Sequence, residues 1–496
     1  MSHVIIEGLI AAVTPVNLLI VLFGTLIGVI IGALPGLGAT TGIALLIPIS
    51  YGMETSTALL LTAGIYMGAV YGGSITAIVI GIPGTPTSTA TTLDGYPMAQ
   101  QGRSLEALGA STMASSVGGF ASALCLMFFT PLVSKVVLYF GVAEQFMLAM
   151  FGLSVIAISS RESFLKGLLG GFFGLALATV GYDPISGYDR FTFGADSLAN
   201  GIPFMAIVIG LFGVSQTIAM AEEAKTVSSC SVLSGSAWDG AREVFRNYWI
   251  TIKSTAIGLF LGATPGVGGG PANMIAYTAI ANSSPDRDTF GKGNIKGVIA
   301  PEASNNATVG TALIPTLAFG IPGSTACAVV LGLLMLHGVD TGPKLFIDMP
   351  VTIYTFFWGL LFTCIALVIV CFPLLKFFAK VTVVPFQILV PNIIIFCVLG
   401  AFSLRGFLFD VFVAIVFGIL GYFLRKAQYP MVCIVLGLVL GKLAETNLSR
   451  SLMIYKGLGF LINRPITLTL LILTIAIVVL PYVNLKSIRK RLEHKR

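Results

Sequence analysis

Charged residues are so sparse along this chain that the gaps between them mark out its elements. Gly8 to Met53 is a run of 46 residues without a charge, and Thr55 to Leu93 is another of 39. A single helix of 46 residues would be about 69 Å long, against a hydrocarbon core of about 30 Å. The first run must therefore break, and Pro35-Gly36-Leu37-Gly38 is the place. The part that follows, up to Tyr51, is about 20 Å of helix, short for a crossing, so half-helices meeting inside the membrane are expected. The second run ends in Gly81-Ile82-Pro83-Gly84-Thr85-Pro86-Thr87-Ser88-Thr89. Non-helical backbone at membrane depth is tolerated only when buried in protein or lining a cavity. Further spans are expected near 107–134, 136–159, 164–181 and 200–221. Residues 222–247, the most polar stretch, read as a surface linker. Uncharged runs then recur at 254–285, 303–339, 349–375, 381–404, 411–424, 427–441 and 465–485, which gives about 11 to 13 membrane elements in all, some re-entrant.

Composition narrows the class. Of 496 residues, 56% are apolar and 10% charged, and mean hydropathy is +0.96; a soluble chain carries about 25% charge. A soluble enzyme, a disulfide scaffold and a disordered chain are excluded, leaving a polytopic protein of the lipid bilayer. The net charge of +7 does not point to nucleic acid. Lys486, Arg489, Lys490, Arg491, Lys495 and Arg496 against Glu493 put +5 of it into the last residues, behind the apolar run Pro465–Leu485. That is the positive-inside signature and predicts a cytoplasmic tail at 486–496. Met1 to Glu7 lacks Lys and Arg, so no cleaved signal peptide is expected. The seven cysteines form no CxxC pair and read as small core residues.

The chain matches itself at an offset of 230. Asn17, Ile20, Thr25, Ile27, Gly28, Gly32, Ala33, Pro35, Gly36 and Gly38 recur as Asn247, Ile250, Thr255, Ile257, Gly258, Gly262, Ala263, Pro265, Gly266 and Gly268, 10 identities in 24 ungapped positions. Both copies keep a small residue at every fourth position, Gly24, Gly28, Gly32 against Ser254, Gly258, Gly262, a stripe that lets another helix approach closely. At an offset of 239, Gly81-Ile82-Pro83-Gly84-Thr85 recurs as Gly320-Ile321-Pro322-Gly323-Ser324. The expected organisation is a first transmembrane repeat at 1–221, the linker at 222–247 and a second repeat at 248–485.

Paired interrupted segments in corresponding halves point to a midplane binding site. The start of a half-helix carries free N–H groups and roughly +0.5 charge, which suits an anion. Freed carbonyls on the other side of each break suit Na⁺. Substrate contacts are thus expected from Pro35, Gly36, Gly38 and Thr40, from Gly84, Thr85, Thr87 and Ser88, from Pro265 and Gly266, and from Gly323, Ser324 and Thr325. Cation contacts are expected at Gly32, Gly81, Gly262 and Gly320. Asn305 and Asn306 enter an apolar run; they can orient a carboxylate or coordinate Na⁺ (Asn305 is a candidate for both), or simply hydrogen-bond between helices. Glu302 reads as a proton or cation site, or as an interfacial residue. Asp94, in Leu93-Asp94-Gly95-Tyr96-Pro97, reads as a loop residue. Walker A, GxGxxG, GxSxG and HExxH patterns are absent from the sequence, and with three His a His-based metal site is hardly possible. No enzyme, no cofactor and no metal beyond a coupling ion is expected. A channel with the same broken helices remains the alternative.

Taken together, Gly32-Ala33-Leu34-Pro35-Gly36-Leu37-Gly38, Tyr71-Gly72-Gly73-Ser74, Asp94-Gly95-Tyr96-Pro97, Pro301-Glu302-Ala303-Ser304-Asn305-Asn306-Ala307 and Gly320-Ile321-Pro322-Gly323-Ser324 resemble the large membrane subunit of the bacterial tripartite tricarboxylate transporters, from about residue 15 to 445. The resemblance implies an inner-membrane secondary transporter working with a small membrane subunit and a periplasmic solute-binding protein. It implies a di- or tricarboxylate substrate, citrate-like, and Na⁺ or H⁺ as the driving ion. For the fold it implies an all-α polytopic protein with inverted repeats, re-entrant hairpins and elevator motion.

Overall fold

The computed structural model describes residues 2–137, 139–159, 164–183, 187–222, 233–264, 268–339, 341–342 and 345–479. The basic tail and the second break at Pro265-Gly266 lie outside the described residues. What is described is almost wholly helical, apart from one antiparallel β-ribbon, β1 (Gly181–Tyr182) with β2 (Asp189–Arg190).

In chain order, α1 (Ser2–Ala12) gives way to α2 (Pro15–Gly32) at Thr14, whose hydroxyl accepts from the Asn17 N–H while Pro15 fills the first turn. The uncharged pattern gives no sign of this break; the Thr-Pro pair is its only signal. After the Pro-Gly-x-Gly segment come α3 (Ala39–Ser50), α4 (Thr55–Val79), a 3₁₀ turn at Pro86–Ser88, α5 (Thr89–Gln100) and α6 (Ser104–Val137). Then follow α7 (Val142–Ser159), α8 (Phe164–Ala178) and the short α9 (Asp196–Ala199). α10 (Phe204–Val208) runs through a π turn, Ile209–Val214, into α11 (Ser215–Glu222). Next are α12 (Ala237–Arg246), α13 (Tyr248–Gly262), α14 (Gly269–Ser283), α15 (Lys296–Phe319), α16 (Thr325–Leu336), the short α17 (Leu345–Asp348) and α18 (Pro350–Val381). The chain ends in α19 (Phe386–Arg405), α20 (Leu408–Lys426), α21 (Met431–Tyr455), the short α22 (Phe460–Asn463) and α23 (Pro465–Val479). Seven of the described helical segments are long and apolar enough to cross a membrane: Pro15–Gly32, Thr55–Val79, Ser104–Val133, Phe204–Glu222, Pro350–Val381, Leu408–Lys426 and Met431–Tyr455. Shorter apolar helices, Ala39–Ser50 and Thr325–Leu336 among them, accompany these.

Contacts divide the chain into two units, Met1–Val137 with Pro203–Phe423, and Leu138–Ile202 with Leu424–Arg496. In the first, α4 and α15 are the central elements. α4 is buried at every position from Ala58 to Val79, and α15 at every position from Gly297 to Ala318. A helix apolar or small on all sides has nowhere to go but the interior. The small-residue stripes are what let neighbours approach. A Cβ built on Gly24, Gly28 or Gly32 would stand 2.7, 2.6 or 2.2 Å from the carbonyl oxygens of Leu61, Ile65 and Ala69 on α4. On α13, Gly258 would meet Ser304 O at 2.4 Å and Gly262 the Thr311 hydroxyl at 2.3 Å, both on α15. α4 also packs on α18, and α15 on α6, where Gly118 lies against Ala303 O.

Part of the polar stretch 222–247 is ordered helix. α12 buries Gly240, Ala241 and Val244, and the close approach of Gly240 to Glu106 O and of Gly109 to Ala237 O presses it onto α6. In the second unit, α8 and α21 meet through Gly174 against Ile434 O and Gly437 against Gly171 O. Within it Arg464 Nε donates to Glu144 at 2.6 Å, with Thr467 on the same oxygen at 2.9 Å, and Arg190 binds Glu445. Cys125, Cys327, Cys364, Cys371 and Cys397 form no disulfide among the described residues.

Candidate functional site

The site is built where two breaks meet. Beyond α4, Gly81 takes φ +71°, and at the end of α15 Gly320 takes φ +70°, left-handed conformations that let each helix end and the chain turn. Three residues later Gly84 and Gly323 bring the backbone hard against α4 and α15, and Thr85 and Ser324 then start the next helical turn as N-caps. The Gly84 N–H donates to Gly73 O on α4 at 3.2 Å, and the Gly36 N–H donates to Gly84 O at 3.3 Å. The break before α3 and the break before α5 are thus tied to each other and to α4.

Around this tie the starts of three helices gather. A Cβ on Gly38, the cap of α3, would lie 3.2 Å from the Thr85 methyl, and one on Gly73 would lie 2.6 Å from the Thr85 hydroxyl. The Thr85 and Thr87 hydroxyls are 2.9 Å apart. Thr87 O accepts from the Asn273 amide of α14. Gly269, at the start of α14, faces Thr87, Thr308 and Asn305 together, with distances of 3.1, 3.2 and 3.3 Å to a Cβ built there. Asn305 is fully buried; its Nδ2 donates to Val70 O at 3.4 Å, and its Oδ1 has no partner. Threonine hydroxyls, backbone and the amides of Asn273 and Asn305 thus form the cluster, with no charged side chain among its described residues.

The other expected residues fall around it or elsewhere. Thr40 and Thr325 sit half-buried in the first turns of α3 and α16, and Pro35 is half-buried before Gly36. The Ser88 hydroxyl is occupied: it donates to Thr85 O at 2.9 Å and accepts from the Thr85 N–H at 3.3 Å. Ser324 caps α16 through the Cys327 N–H and bonds the Tyr66 hydroxyl of α4 at 2.9 Å. Asn306 faces Met67 of α4 and the Gly119 region of α6, away from Gly269. Gly32 and Gly262 are helix-packing positions; Gly81 backs onto the Tyr96 ring and Gly320 onto Thr341. Pro265 and Gly266 are outside the described residues. Tyr66, Gly73, Gly269 and Asn273 were not anticipated, yet the 239 offset that pairs Thr85 with Ser324 also pairs Asn305 with Tyr66.

The family profile of the tripartite tricarboxylate transporter TctA family matches residues 18–436. The chain belongs to that family. A similar protein is an uncharacterized 52.8 kDa protein in the TAR-I ttuC' 3' region of Agrobacterium vitis, 37% identical over 98% of this chain and 96% of its own length. A second, an uncharacterized protein in the TAR-II ttuC' 3' region of the same organism, is 36% identical over 47% of this chain and 96% of its own. No solved structure matches. Membership makes the chain a multi-pass membrane subunit of a tripartite tricarboxylate transporter, a transporter family rather than an enzyme family. Systems of this type in general add a small membrane subunit and a periplasmic binding protein.

Two acidic residues of this TctA-family chain sit behind the cluster. Glu302, on α15 one turn before Asn305, is fully buried. Asp94 is not in a loop: it lies inside α5, fully buried. Its Oδ1 accepts from the backbone N–H groups of Gly291 and Gly293 at 2.9 Å and of Asn294 at 2.8 Å, and its Oδ2 accepts from the Tyr277 hydroxyl at 2.9 Å. The carboxylate thereby fastens α5 to α14 and to the connection leading into α15. Asp94→Ala strands four donors, each costing about 1–3 kcal/mol when left unpaired in the interior. A fall in thermal unfolding temperature of the detergent-solubilised protein is expected, larger than for Asp94→Asn; an unchanged transition would contradict the fastening role.

Proposed function

We propose that this chain is the translocating subunit of a secondary active transporter of the bacterial inner membrane. It imports a di- or tricarboxylate of the citrate kind by cation symport, taking the anion from a periplasmic binding protein. The observation that carries this reading is the meeting of the α3, α5 and α14 starts around Thr85, Thr87 and Asn305. Helix starts and hydroxyls hold a multiply charged anion without a fixed counter-ion, and the absence of a permanent ion pair lets the anion leave again. Asn305 Oδ1, a buried acceptor with nothing to accept from, suits a coupling cation beside the anion.

The need for a cation is electrical. One charge moved through 100 mV is worth about 2.3 kcal/mol, so a trivalent anion entering an inside-negative cell faces about three times that. About three co-transported cations make the step electroneutral. Inverted repeats and elevator motion belong to the same proposal. They are supported by the shared order of small-residue helix, Pro-Gly-x-Gly segment, second helix, buried helix, Gly-Ile-Pro-Gly, short helix and long helix in α2–α6 and in α13–α18.

The test is reconstitution of the full transporter with its small subunit and binding protein, using labelled citrate and a panel of other carboxylates. Concentrative uptake that needs a Na⁺ or pH gradient is expected. Uptake that only equilibrates, whatever gradient is imposed, would replace symport by a facilitator.

A further inference from the structure

Glu302 is the one buried carboxylate of α15, and what surrounds it is unusual. Its Oε1 accepts from the Ser74 hydroxyl of α4 at 2.6 Å and from the Thr91 hydroxyl of α5; its Oε2 accepts from the Ser115 hydroxyl of α6 at 2.7 Å. Four helices therefore meet on one carboxyl group. Among the described residues no Lys, Arg or His binds it. Tyr71 of α4 also lies close to it, with its hydroxyl bonded to Thr112 at 2.6 Å and Cys371 of α18 beside that hydroxyl. The charged and titratable groups on the other packed elements are turned elsewhere. Lys296 of α15 binds Asp286, Glu106 of α6 binds Arg103, Asp94 of α5 binds backbone and Tyr277 of α14, Cys327 of α16 contacts Tyr66, and Lys253 of α13 is exposed. A carboxylate so placed has hydrogen bonds but no counter-charge, which the interior penalises.

A second observation bears on what can neutralise it. The Ser111 hydroxyl, one turn before Ser115 on α6, is fully buried beside the same carboxyl and has no other hydrogen-bond partner. A hydroxyl can give its O–H to the anion or take the O–H of the acid. The cage can thus satisfy both protonation states.

We propose that Glu302 is a proton-carrying site of the transporter, so that at least one coupling cation is H⁺. The proposal rests on the symport reading and deepens it. The proton taken from water on one side of the membrane turns the carboxylate into the acid, with the O–H given to Ser111; its loss on the other side restores the anion. Position makes the coupling. Glu302 stands three residues before Asn305 on α15, and Thr91 stands six residues after Thr85 on the α5 arm. The charge on the carboxyl therefore sets how firmly α5 is held against α15, directly behind the candidate substrate cluster.

Glu302→Gln imitates the acid in size and is fixed in charge. In proteoliposomes holding the complete transporter at constant Na⁺, citrate uptake driven by an imposed pH gradient is expected to fall by at least about tenfold in this variant. Citrate counterflow, which needs no net proton movement, persists. Ser111→Ala takes one hydroxyl from the cage and is expected to shift the pH profile of uptake while counterflow is kept, an effect a merely structural hydroxyl does not produce. Independently of transport, infrared difference spectra of the purified protein between mildly acidic and mildly alkaline buffer are expected to show a protonated-carboxyl band that is missing in Glu302→Gln. Wild-type concentrative uptake that ignores the pH gradient, Glu302→Gln as pH-driven as wild type, or an infrared band unchanged by the substitution would each overturn the proposal. In the first two of those cases Na⁺-driven uptake leaves the symport reading standing. The Glu302 band without any concentrative uptake of carboxylates fails that reading and keeps the proton site.

Discussion

Gly84→Ala is expected to abolish substrate uptake. The added methyl would stand 2.3 Å from the Thr76 hydroxyl, 2.8 Å from Gly73 Cα and 2.9 Å from Gly32 O. Two of these three are backbone atoms of α2 and α4, and α4 is buried from Ala58 to Val79 and cannot move away. The segment itself must shift outward. Doing so breaks the Gly84–Gly73 and Gly36–Gly84 hydrogen bonds together, and with them the alignment of Gly38 and Thr85. Overpacking costs about 1–3 kcal/mol, and the two lost bonds add about 0.5–1.5 each. A polytopic protein can survive that and still insert, but its site cannot keep its geometry. Uptake normalised to the amount of protein in the membrane should drop by at least about tenfold. Gly52→Ala, where nothing lies within 4 Å, is the matched control. Wild-type uptake by Gly84→Ala would show that the two breaks need not meet for transport.

Asn305→Ala and Asn306→Ala should part company, although the residues are neighbours in sequence. Asn305 makes one long bond to Val70 O and leaves Oδ1 open toward Gly269. Its truncation removes little that stabilises the fold, about 1 kcal/mol, but takes away the amide of the proposed site. Uptake should fall by at least about tenfold with a nearly unchanged unfolding temperature. Asn306 Oδ1 is also without a partner, but its side chain faces Met67 and Gly119 rather than Gly269, while its backbone carbonyl accepts from Ser122 of α6 at 3.1 Å. Its truncation leaves that backbone bond in place and alters helix packing, so it should lower stability more than transport. Equal effects of the two substitutions on uptake would remove the special place given to Asn305.

The helical architecture was legible in the sequence because its signals are local. Two proline-glycine breaks, the stripe Gly24, Gly28, Gly32 and the absence of charge each act within a turn or two of the chain, and α2, α3 and α4 end near where they indicate. The cap at Thr14 was missed because an uncharged Thr-Pro pair does not interrupt an apolar run. Within the 222–247 segment the helix α12 was not read for a related reason. α12 is strongly polar on one face, and only Gly240, Ala241 and Val244 betray the other, packed face. At the site, Thr85, Thr87 and Asn305 could be picked out as polar residues in apolar surroundings. Which of them would meet could not, because the contacts Thr87–Asn273 and Gly38–Thr85 join segments far apart in the chain. Asp94 shows the limit most clearly. Asp-Gly-Tyr-Pro has the composition of a turn, but three N–H groups almost 200 residues later hold the Asp94 carboxylate within a helix.

The pairing of α6 with α15 has a consequence for how the chain is made. α6 carries Ser111, Thr112, Ser115, Ser116 and Ser122, all buried, and at Gly118 and Ser122 it packs against Ala303 and Gly310 of α15. Some 158 residues separate the end of α6 at Val137 from the start of α15 at Lys296. At about 5–20 residues per second, the ribosome takes roughly 10–30 s to supply that partner. During that time the part of α6 that α15 covers, Ser115 and Ser122 included, lacks the groups it bonds in the finished chain. The nascent first half is then a natural client for an insertase or a membrane chaperone, and ribosomes paused between residues 137 and 296 should yield chains that are recovered in contact with one.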